Sequence, residues 1–368
     1  MKTILNYLDT VTDNRQKKKV QHKMSDIIAL VFFATLANAD DFVEIEVFGK
    51  EHEKFLKEYL ELPNGIPSHD TIQRVLSMVS SEFLETFQKM WNEMLNSDEG
   101  EKVKKILAID GKTQRGNRSK NQKANHIVSA VDENGFCLGQ KRVDEKSNEI
   151  TAIPELLDAL QIKGQIITTD AMGTQTEIVK KIRKKRGDYV LALKGNQGSL
   201  YEDVKLYFEE ETFRKKCEYK KTIEKARSGV EKREYWQTEE ISWLSQRKEW
   251  SGIKSIAMTR NTTKREAKEV IENRYFISSL PVRVEEIARA IRSHWMVESY
   301  HWHLDVTFGE DGNQTLEKQA SYNLNIMRKL SINVLKICEV GKSTLSLKKK
   351  RFAICTNPEG HLTSILNL

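Results

Sequence analysis

The sequence predicts an α/β domain preceded by an all-helical N-terminal domain. Residues 1–97 carry apolar side chains at i, i+3 and i+4 spacing, which is the period of an amphipathic helix. From Lys104 onward, short β-branched runs alternate with helical segments, as in domains whose helices cover a central sheet. The charged stretch Ser97–Val103 separates the two patterns. We therefore predict domains at 1–97 and 104–368, and we expect a fragment that starts at Lys104 to keep its fold.

The N-terminal domain is predicted to contain four helices. Their apolar spacing places them at Ser25–Ala39, Phe42–Leu62, Ser68–Val79 and Glu82–Leu95. Ser68 follows a turn rich in proline and glycine and is positioned to cap the third helix. The arrangement suits either a helix-turn-helix that reads DNA or a bundle that packs on the second domain. The sequence leaves both interpretations open.

The second domain begins with three strands joined by turns and continues with helices and strands in alternation. We predict strands at Ile106–Ile109, His126–Val131, Phe136–Val143, Gln165–Thr169 and Tyr189–Leu193, and helices at Ile150–Leu160, Gln175–Lys184 and Leu200–Glu209. This order of elements is ribonuclease-H-like. In such a fold the first and fourth strands are neighbours, so their carboxyl ends meet at one edge of the sheet.

A β-rich insertion is predicted at about residues 212–281, before the C-terminal helices. Glu231–Ile241, Gly252–Thr259 and Asn273–Ser279 have strand character, with Arg260-Asn-Thr-Thr263 as a turn. A long helix is expected from Val284 to about Phe308 and a last apolar helix from Tyr322 to Ile337. The run Lys348-Lys-Lys-Arg351 and the tail then end the chain.

Three acidic residues lie in segments that suit a metal-dependent nuclease site. Asp110 and Asp170 each end a β-branched apolar run and precede a glycine turn, whereas Glu298 lies in the middle of a predicted helix. Carboxylate oxygens are suitable ligands for Mg²⁺, and two such ions can hold the attacking and leaving oxygens of a phosphodiester. The residues therefore predict a phosphoryl-transfer enzyme that acts on DNA.

The helix around Glu298 carries a polar stripe, because His294, Glu298, His301 and Asp305 share one face at helical spacing. Glu298-x-x-His301 also has the spacing of a di-iron ligand pair, but the second copy that such sites need is missing. We therefore interpret His294, His301 and Asp305 as groups that support the acids, with one of the histidines contacting the scissile phosphate. For the nearby residues Trp295 and Trp302, core packing is favoured over stacking on an unpaired base.

Basic residues follow the first acid and the fifth strand. Lys112, Arg115 and Arg118 crowd the loop after Asp110, and Lys194 and Asn196 follow the fifth strand at the same sheet edge. We predict that these five side chains contact DNA, mainly its phosphates, although a solvated loop explains the basic loop equally well.

The bulk composition is compatible with this function and excludes several others. Lys and Arg number 60 against 53 Asp and Glu, a modest basic excess. The four cysteines lack any CxxC spacing, so neither a zinc knuckle nor a disulfide framework is predicted. The most apolar stretch, Ile27–Ala37, is too short to cross a bilayer, and the N-terminus has no signal-peptide pattern. We expect a cytoplasmic, nucleoid-associated protein that does not contact a membrane.

Several motifs, taken together, resemble one family. They are Asp110-Gly-Lys-Thr113, Asp144-Glu-Lys-Ser-Asn-Glu-Ile-Thr-Ala-Ile-Pro154, Thr169-Asp-Ala-Met-Gly173, Leu191-Ala-Leu-Lys-Gly-Asn-Gln197, Arg274-Tyr-Phe-Ile-Ser-Ser-Leu280, and the segment from His294 to Asp305. They look like the H-repeat-associated insertion-sequence transposases, and Leu62–Thr71 looks like the helical domain that accompanies them. The resemblance covers nearly the whole chain in the right order.

This resemblance implies a DDE transposase with a ribonuclease-H-like core and a β-rich insertion before the final Glu. Asp110, Asp170 and Glu298 would be its catalytic and metal-binding residues, with two Mg²⁺ or Mn²⁺ ions per active site. The implied partners are double-stranded DNA, as terminal inverted repeats and target, and a second copy of the chain on that DNA.

Two features depart from related transposases. His294 and Asp305 stand where the broader cut-and-paste superfamily carries Arg and Lys, so its hairpin chemistry is not implied here. Arg227-Ser-Gly229 stands where the closer family usually has His-Gly-Arg. Two alternatives to an active transposase remain: a nuclease of the same fold without strand transfer, and a catalytically idle DNA-binding protein derived from a transposase. The intact acids argue against the second.

Overall fold

The structure is a computed structural model that describes residues 2–95, 104–144, 146–226, 229–265, 268–341 and 344–366. The predicted boundary segment Ser97–Val103 lies outside these residues, as do Arg227 and Ser228 of the departing motif. Within the described part, a large mixed sheet is covered by helices, so the α/β prediction is confirmed.

The N-terminal region is helical, as predicted. Its helices are α1 Lys2–Leu8, α2 Met24–Leu36, α3 Phe42–Glu51, α4 Glu53–Leu56, α5 His69–Met78 and α6 Ser81–Leu95. The predicted helix Phe42–Leu62 is broken into α3 and α4 at His52, and α1 was not predicted because seven residues give too little periodicity. Ser68 caps α5 as expected, since its hydroxyl accepts the N–H of Thr71.

The sheet places the first and fourth strands side by side, as predicted. Its first five strands are β1 Ile106–Thr113, β2 His126–Asp132, β3 Cys137–Arg142, β4 Ile166–Thr169 and β5 Asp188–Leu193. Helix α7 Glu149–Ala159 connects β3 to β4, and helix α8 Thr176–Lys184 connects β4 to β5. The order is β3-β2-β1-β4-β5, with β1, β4 and β5 parallel. The expected glycine turn after Asp110 is wrong, because β1 continues through Gly111 to Thr113 and pairs with β2.

The β-rich insertion is present, and it extends the same sheet. After α9 Ser199–Glu209 and α10 Glu211–Arg214 come β6 Glu218–Ala226, β7 Gly229–Thr238, β8 Ser255–Arg265 and β9 Lys268–Ser278. Strand β9 pairs with β5, and the sheet continues as β9-β8-β7-β6. The turn predicted at Arg260-Asn-Thr-Thr263 is wrong, since these residues lie inside β8 and pair with β9. Strand β6 was missed because its sequence is dominated by charged residues.

The C-terminal region contains two helices more than the sequence predicted. Helix α11 Val284–Trp302 ends in a π-helical turn, His303–Thr307, and is followed by α12 Lys318–Ile337, α13 Leu347–Thr356 and α14 Pro358–Leu366. The basic run at 348–351 belongs to α13. Two of its members, Lys350 and Arg351, are buried.

The N-terminal helices share one hydrophobic core with the rest of the chain. Every residue of α2 is buried, and α12 packs against α2, α5 and α6 as well as β3. The same core includes Ala108, Ile127 and Val131 of the sheet. These contacts support the bundle interpretation of the N-terminal region. They do not support a stable fragment from Lys104 onward, because removing 1–97 would expose this apolar surface to water.

Asp26 in α2 predicts a measurable pH dependence of stability. Its side chain is buried, Oδ2 has no hydrogen-bond partner within the described residues, and burial raises its pKa to about 6. The folded state therefore holds this proton more tightly than the unfolded state, so stability is fully present below the unfolded pKa near 3.8 and is lost as the pH rises toward 6. We expect Asp26→Asn to stabilise the protein at pH 7 by about 1–3 kcal/mol.

Urea unfolding at pH 4 and at pH 7 measures this effect. The gain of Asp26→Asn should be present at pH 7 and absent at pH 4, whereas Glu58→Gln, at an exposed position, should leave the pH dependence in place. An equal effect of Asp26→Asn at both pH values would contradict the assignment.

Among the described residues, every helix is too short or too polar to span a membrane.

Candidate active site

Asp110 and Asp170 lie next to each other at the centre of the sheet. Ile109 of β1 is paired in register with Thr169 of β4, so each aspartate follows one member of this pair. Asp170 ends its strand as predicted, and its Oδ1 accepts the N–H groups of Met172 and Gly173 at 2.9 and 3.1 Å. These bonds hold the carboxylate of Asp170 at the turn after β4.

Glu298 approaches the two aspartates from α11, which packs across β1, β2 and β4. It is exposed, and it lines a cavity of about 340 Å³ together with Asp110 and Asp170. Lys194 and Arg274 line the same cavity. The structure thus brings the three sequence-predicted acids to one cavity.

A fourth acid, Glu149, was missed by the sequence analysis. Carboxylate oxygens of Asp110, Glu149 and Asp170 all lie within 4.8 Å of one another, and among the described residues this is the group that could hold a metal ion. Glu149 begins α7, which Asn148 caps by accepting the N–H of Ile150 at 3.0 Å. Glu149 lies within one of the motifs that carry the family resemblance, but nothing in the local sequence shows that its side chain points at β1.

Desolvation and the repulsion between like charges disfavour the ionised form of the acids in this site. Burial, with the neighbouring charges of Glu149 and Asp170, raises the pKa of Asp110 to about 7. Desolvation in the cavity also raises the pKa of Glu298, while Arg274 and Lys194 oppose that rise. The three clustered donors are all carboxylates, with no thiolate, and such oxygen ligands suit Mg²⁺ or Mn²⁺.

His294 and His301 lie on the side of α11 that faces β1 and β4. His294 Nδ1 is 3.0 Å from Thr168 Oγ1, and burial lowers its pKa to about 4. His301 Nδ1 is 3.7 Å from Asp110 Oδ2, and burial, followed by the charges of Lys329 and Lys112, lowers its pKa to about 3. Both imidazoles are therefore neutral at pH 7. They contact residues of the acid-bearing strands, which is the location that the polar stripe predicted.

Asp305 and Lys112 form a separate cluster. The π-helical turn after Trp302 changes the helical period, and Asp305 pairs with Lys112 at 2.6 Å. Lys112 also lies 3.1 Å from both Glu310 and Asp311, with only 11% of its side chain exposed. This arrangement does not favour the predicted contact between Lys112 and DNA, because three carboxylates enclose its ammonium group. Asp305 therefore contacts Lys112 in this cluster.

The remaining predicted DNA contacts lie at the surface. Arg115, with 83% of its side chain exposed, and Arg118 both project from the loop after β1. Lys194 is exposed at the rim of the active-site cavity. Asn196 donates to the carbonyl of Ala171 at 2.8 Å, so it braces the turn that follows Asp170.

The two tryptophans of α11 are surface residues, so the favoured interpretation of core packing is wrong. Trp295 is 37% exposed and Trp302 is 55% exposed. Trp295 lines the cavity beside Glu298, and the Arg274 guanidinium lies 4.9 Å from the centre of its ring. Arg274 belongs to one of the motifs that carry the family resemblance, but it was not predicted as a site residue, since only the sheet pairing of β9 with β5 brings it to the cavity.

The sequence also matches known families. Residues 101–334 match the family described as "Transposase DDE domain", which covers more than half of the chain. The chain belongs to the DDE transposase family. Residues 5–92 match the family described as "DDE_Tnp_1-associated", so the helical region also has a counterpart in this family. A ribonuclease-H-like fold is implied by this membership.

Two relatives of similar length carry transposase names. The "Putative transposase YncI" of Escherichia coli O157:H7 is 39% identical over 366 residues, which cover 97% of this chain and 93% of the relative. The "H repeat-associated putative transposase YhhI" of Escherichia coli strain K12 is 37% identical and covers 100% of this chain and 98% of the relative. A shorter match, the "Inactive transposase YbfQ" of the same strain, is 44% identical over 77 residues. The resemblance to H-repeat-associated transposases is thus confirmed.

Proposed function

We propose that this protein is an active transposase that cleaves DNA at the ends of an insertion sequence and joins those ends to target DNA. The observation that carries the proposal is the convergence of Asp110, Asp170 and Glu298 on one cavity of a DDE-family chain. Their carboxylates would hold two Mg²⁺ or Mn²⁺ ions, which when bound stabilise the charge on the attacking and leaving oxygens of the phosphodiester.

The chain's own residues hold these acids in place. Backbone N–H groups orient Asp170, and the neutral imidazole of His301 lies beside Asp110. Because His294 and His301 are uncharged at neutral pH, they do not oppose cation binding. Of the two, His294 lines the cavity, and its imidazole can donate one hydrogen bond to a phosphate oxygen, depending on its tautomer.

Lys194 and Arg274 supply positive charge on the Glu298 side of the cavity. We infer that they contact the DNA backbone there, and that Arg115 and Arg118 contact it farther along the surface. Phosphate contacts fix the position of the duplex without reading its sequence. In this proposal the protein works as a homodimer on the paired ends of its element, in the bacterial nucleoid.

The test is a cleavage and joining assay with the purified full-length protein. DNA that carries the element's own terminal inverted repeats should be nicked in Mg²⁺ or Mn²⁺ and left intact in EDTA, and a scrambled end should be a poorer substrate. An end with a free 3′-hydroxyl should be joined to a target plasmid. Cleavage without joining would support the nuclease alternative, and binding without cleavage would support the idle DNA-binding protein.

The surface arginines give an electrostatic prediction. Replacing Arg115 and Arg118 with Gln should weaken binding to all DNA sequences alike, and should lower the salt dependence of log K by about one for every phosphate that the protein no longer neutralises. Filter binding at several salt concentrations, with element ends and with unrelated DNA, measures both slopes. Unchanged slopes would place this loop away from the DNA.

A further inference from the structure

Glu149 lies beside the two aspartates, yet it is not one of the three acids that the family resemblance implies. Its carboxylate belongs to the group whose oxygens lie within 4.8 Å of one another, and Glu298 does not. Glu149 also lines a second cavity of about 540 Å³, together with His126, Arg142 and Met172. It therefore borders both the acid pair and a second solvent-filled space.

The backbone around Asp110 makes room for this carboxylate. A Cβ atom at Gly111 would overlap Glu149 Oε1 and would lie 2.5 Å from His126 Nε2. With any other residue at 111, the ends of the Glu149 and His126 side chains would have to move away from their present positions against β1. The close approach is thus built into the strand.

His126 also fixes the position of the Glu149 side chain. Its Oε1 lies 2.6 Å from His126 Nε2, and His126 Nδ1 lies 2.8 Å from Thr113 Oγ1. Thr113 and His126 are paired across β1 and β2, so this chain of polar contacts is anchored in the sheet. Metal-binding carboxylates are commonly fixed by such outer partners.

Among the residues that the structure describes, the acid cluster has no Lys or Arg beside it, unlike the neighbouring cluster around Lys112. Lys112 lies among Asp305, Glu310 and Asp311 at 2.6 to 3.1 Å. Among the described residues, however, no Lys or Arg lies within 4.0 Å of the carboxylates of Asp110, Glu149 or Asp170. The basic side chains within that distance are two imidazoles, His126 beside Glu149 and His301 beside Asp110. Partly buried carboxylates this close together repel one another when ionised, and a bound cation would relieve that repulsion.

We propose that Glu149 is a third carboxylate ligand of the metal ion held by Asp110 and Asp170, and that His126 fixes its orientation. The inference rests on the proposed function, because it concerns the same metal site. Glu298, across the cavity on α11, then completes the second ion site. The site thereby uses four acids, one of them from the first turn of α7.

The experiment measures Mn²⁺ binding to the full-length protein in the absence of DNA. Isothermal titration calorimetry gives the affinity, and the decrease of the electron paramagnetic resonance signal of free Mn²⁺ gives the amount of ion bound. Glu149→Gln should weaken the binding of one Mn²⁺ by about tenfold or more. Glu155→Gln is the matched control, because Glu155 lies on the same helix, is exposed and pairs with Lys141 at 2.8 Å. Its Mn²⁺ affinity should equal that of the wild type.

Two further variants separate ligation from a structural role. His126→Gln removes the imidazole that contacts Glu149 but keeps the carboxylate, so it should retain more Mn²⁺ affinity than Glu149→Gln. Equal losses would overturn the inference. Glu149→Asp keeps the charge on a shorter side chain and serves in place of the glutamine variant if that variant does not fold. Its affinity for Mn²⁺ should be lower than that of the wild type. Wild-type affinity in both Glu149 variants would also overturn it.

Asp110→Asn distinguishes this failure from a failure of the proposed function. If Asp110→Asn loses Mn²⁺ binding while Glu149→Gln binds it like the wild type, only the role of Glu149 is wrong. If neither the wild type nor any variant binds Mn²⁺, the metal-dependent function fails as well.

Discussion

Replacing Asp110 or Asp170 with Asn should reduce DNA cleavage by about a thousandfold or more, because each change removes a charged oxygen ligand from a site that stabilises transition-state charge by several kcal/mol. Glu298→Gln should have a similar effect from the other side of the cavity. The measurement is the single-turnover rate of nicking of an element end in Mg²⁺. DNA binding without metal should be retained, since these side chains do not supply the positive charge that phosphates need.

Asp158→Asn is a suitable control for these variants. Asp158 lies on the outer side of α7, where it pairs with Lys181 at 2.5 Å in solvent, and its replacement should leave the nicking rate unchanged. Near-normal cleavage by any one of the three acid variants would remove that residue from the catalytic set.

Arg351→Met should destabilise the protein by about 3–5 kcal/mol, because it leaves buried acceptors without their donor. The Arg351 side chain is 0% exposed, and its guanidinium lies 4.0 Å from the centre of the Phe308 ring. It donates to the carbonyl of Thr35 at 3.0 and 3.1 Å and to the carboxylate of Asp40 at 2.7 Å, and it also contacts the carbonyl of Thr307. One side chain thus joins α13 to the N-terminal helices and to the π-helical turn.

Urea unfolding monitored by circular dichroism measures the loss. Lys349→Met is the matched control, because Lys349 lies two residues earlier in α13 and is exposed. Its replacement should change the free energy of unfolding by less than about 0.5 kcal/mol. If Arg351→Met were as stable as this control, the guanidinium contacts would not contribute to the fold.

Local pattern was sufficient for most of the elements, since period and turn chemistry are properties of neighbouring residues. The strand that ends at Asp170 and the helix that carries Glu298 follow directly from such patterns, and the adjacency of β1 and β4 follows from the order of elements. Strand β6 and helix α13 were missed for the same reason, because their charged sequences do not show the periodicity of a buried face.

Motifs in the sequence were thus sufficient to predict the family and the three acids that line the cavity. Which charged groups meet depends on the tertiary structure. Glu149 reaches Asp110 because Gly111 leaves space on β1, Lys112 is enclosed by carboxylates that follow it by almost 200 residues, and Arg351 is buried in a core built from both ends of the chain. Such pairings depend on close packing between segments that are far apart in the sequence. Composition and periodicity describe only residues that are near one another in the sequence.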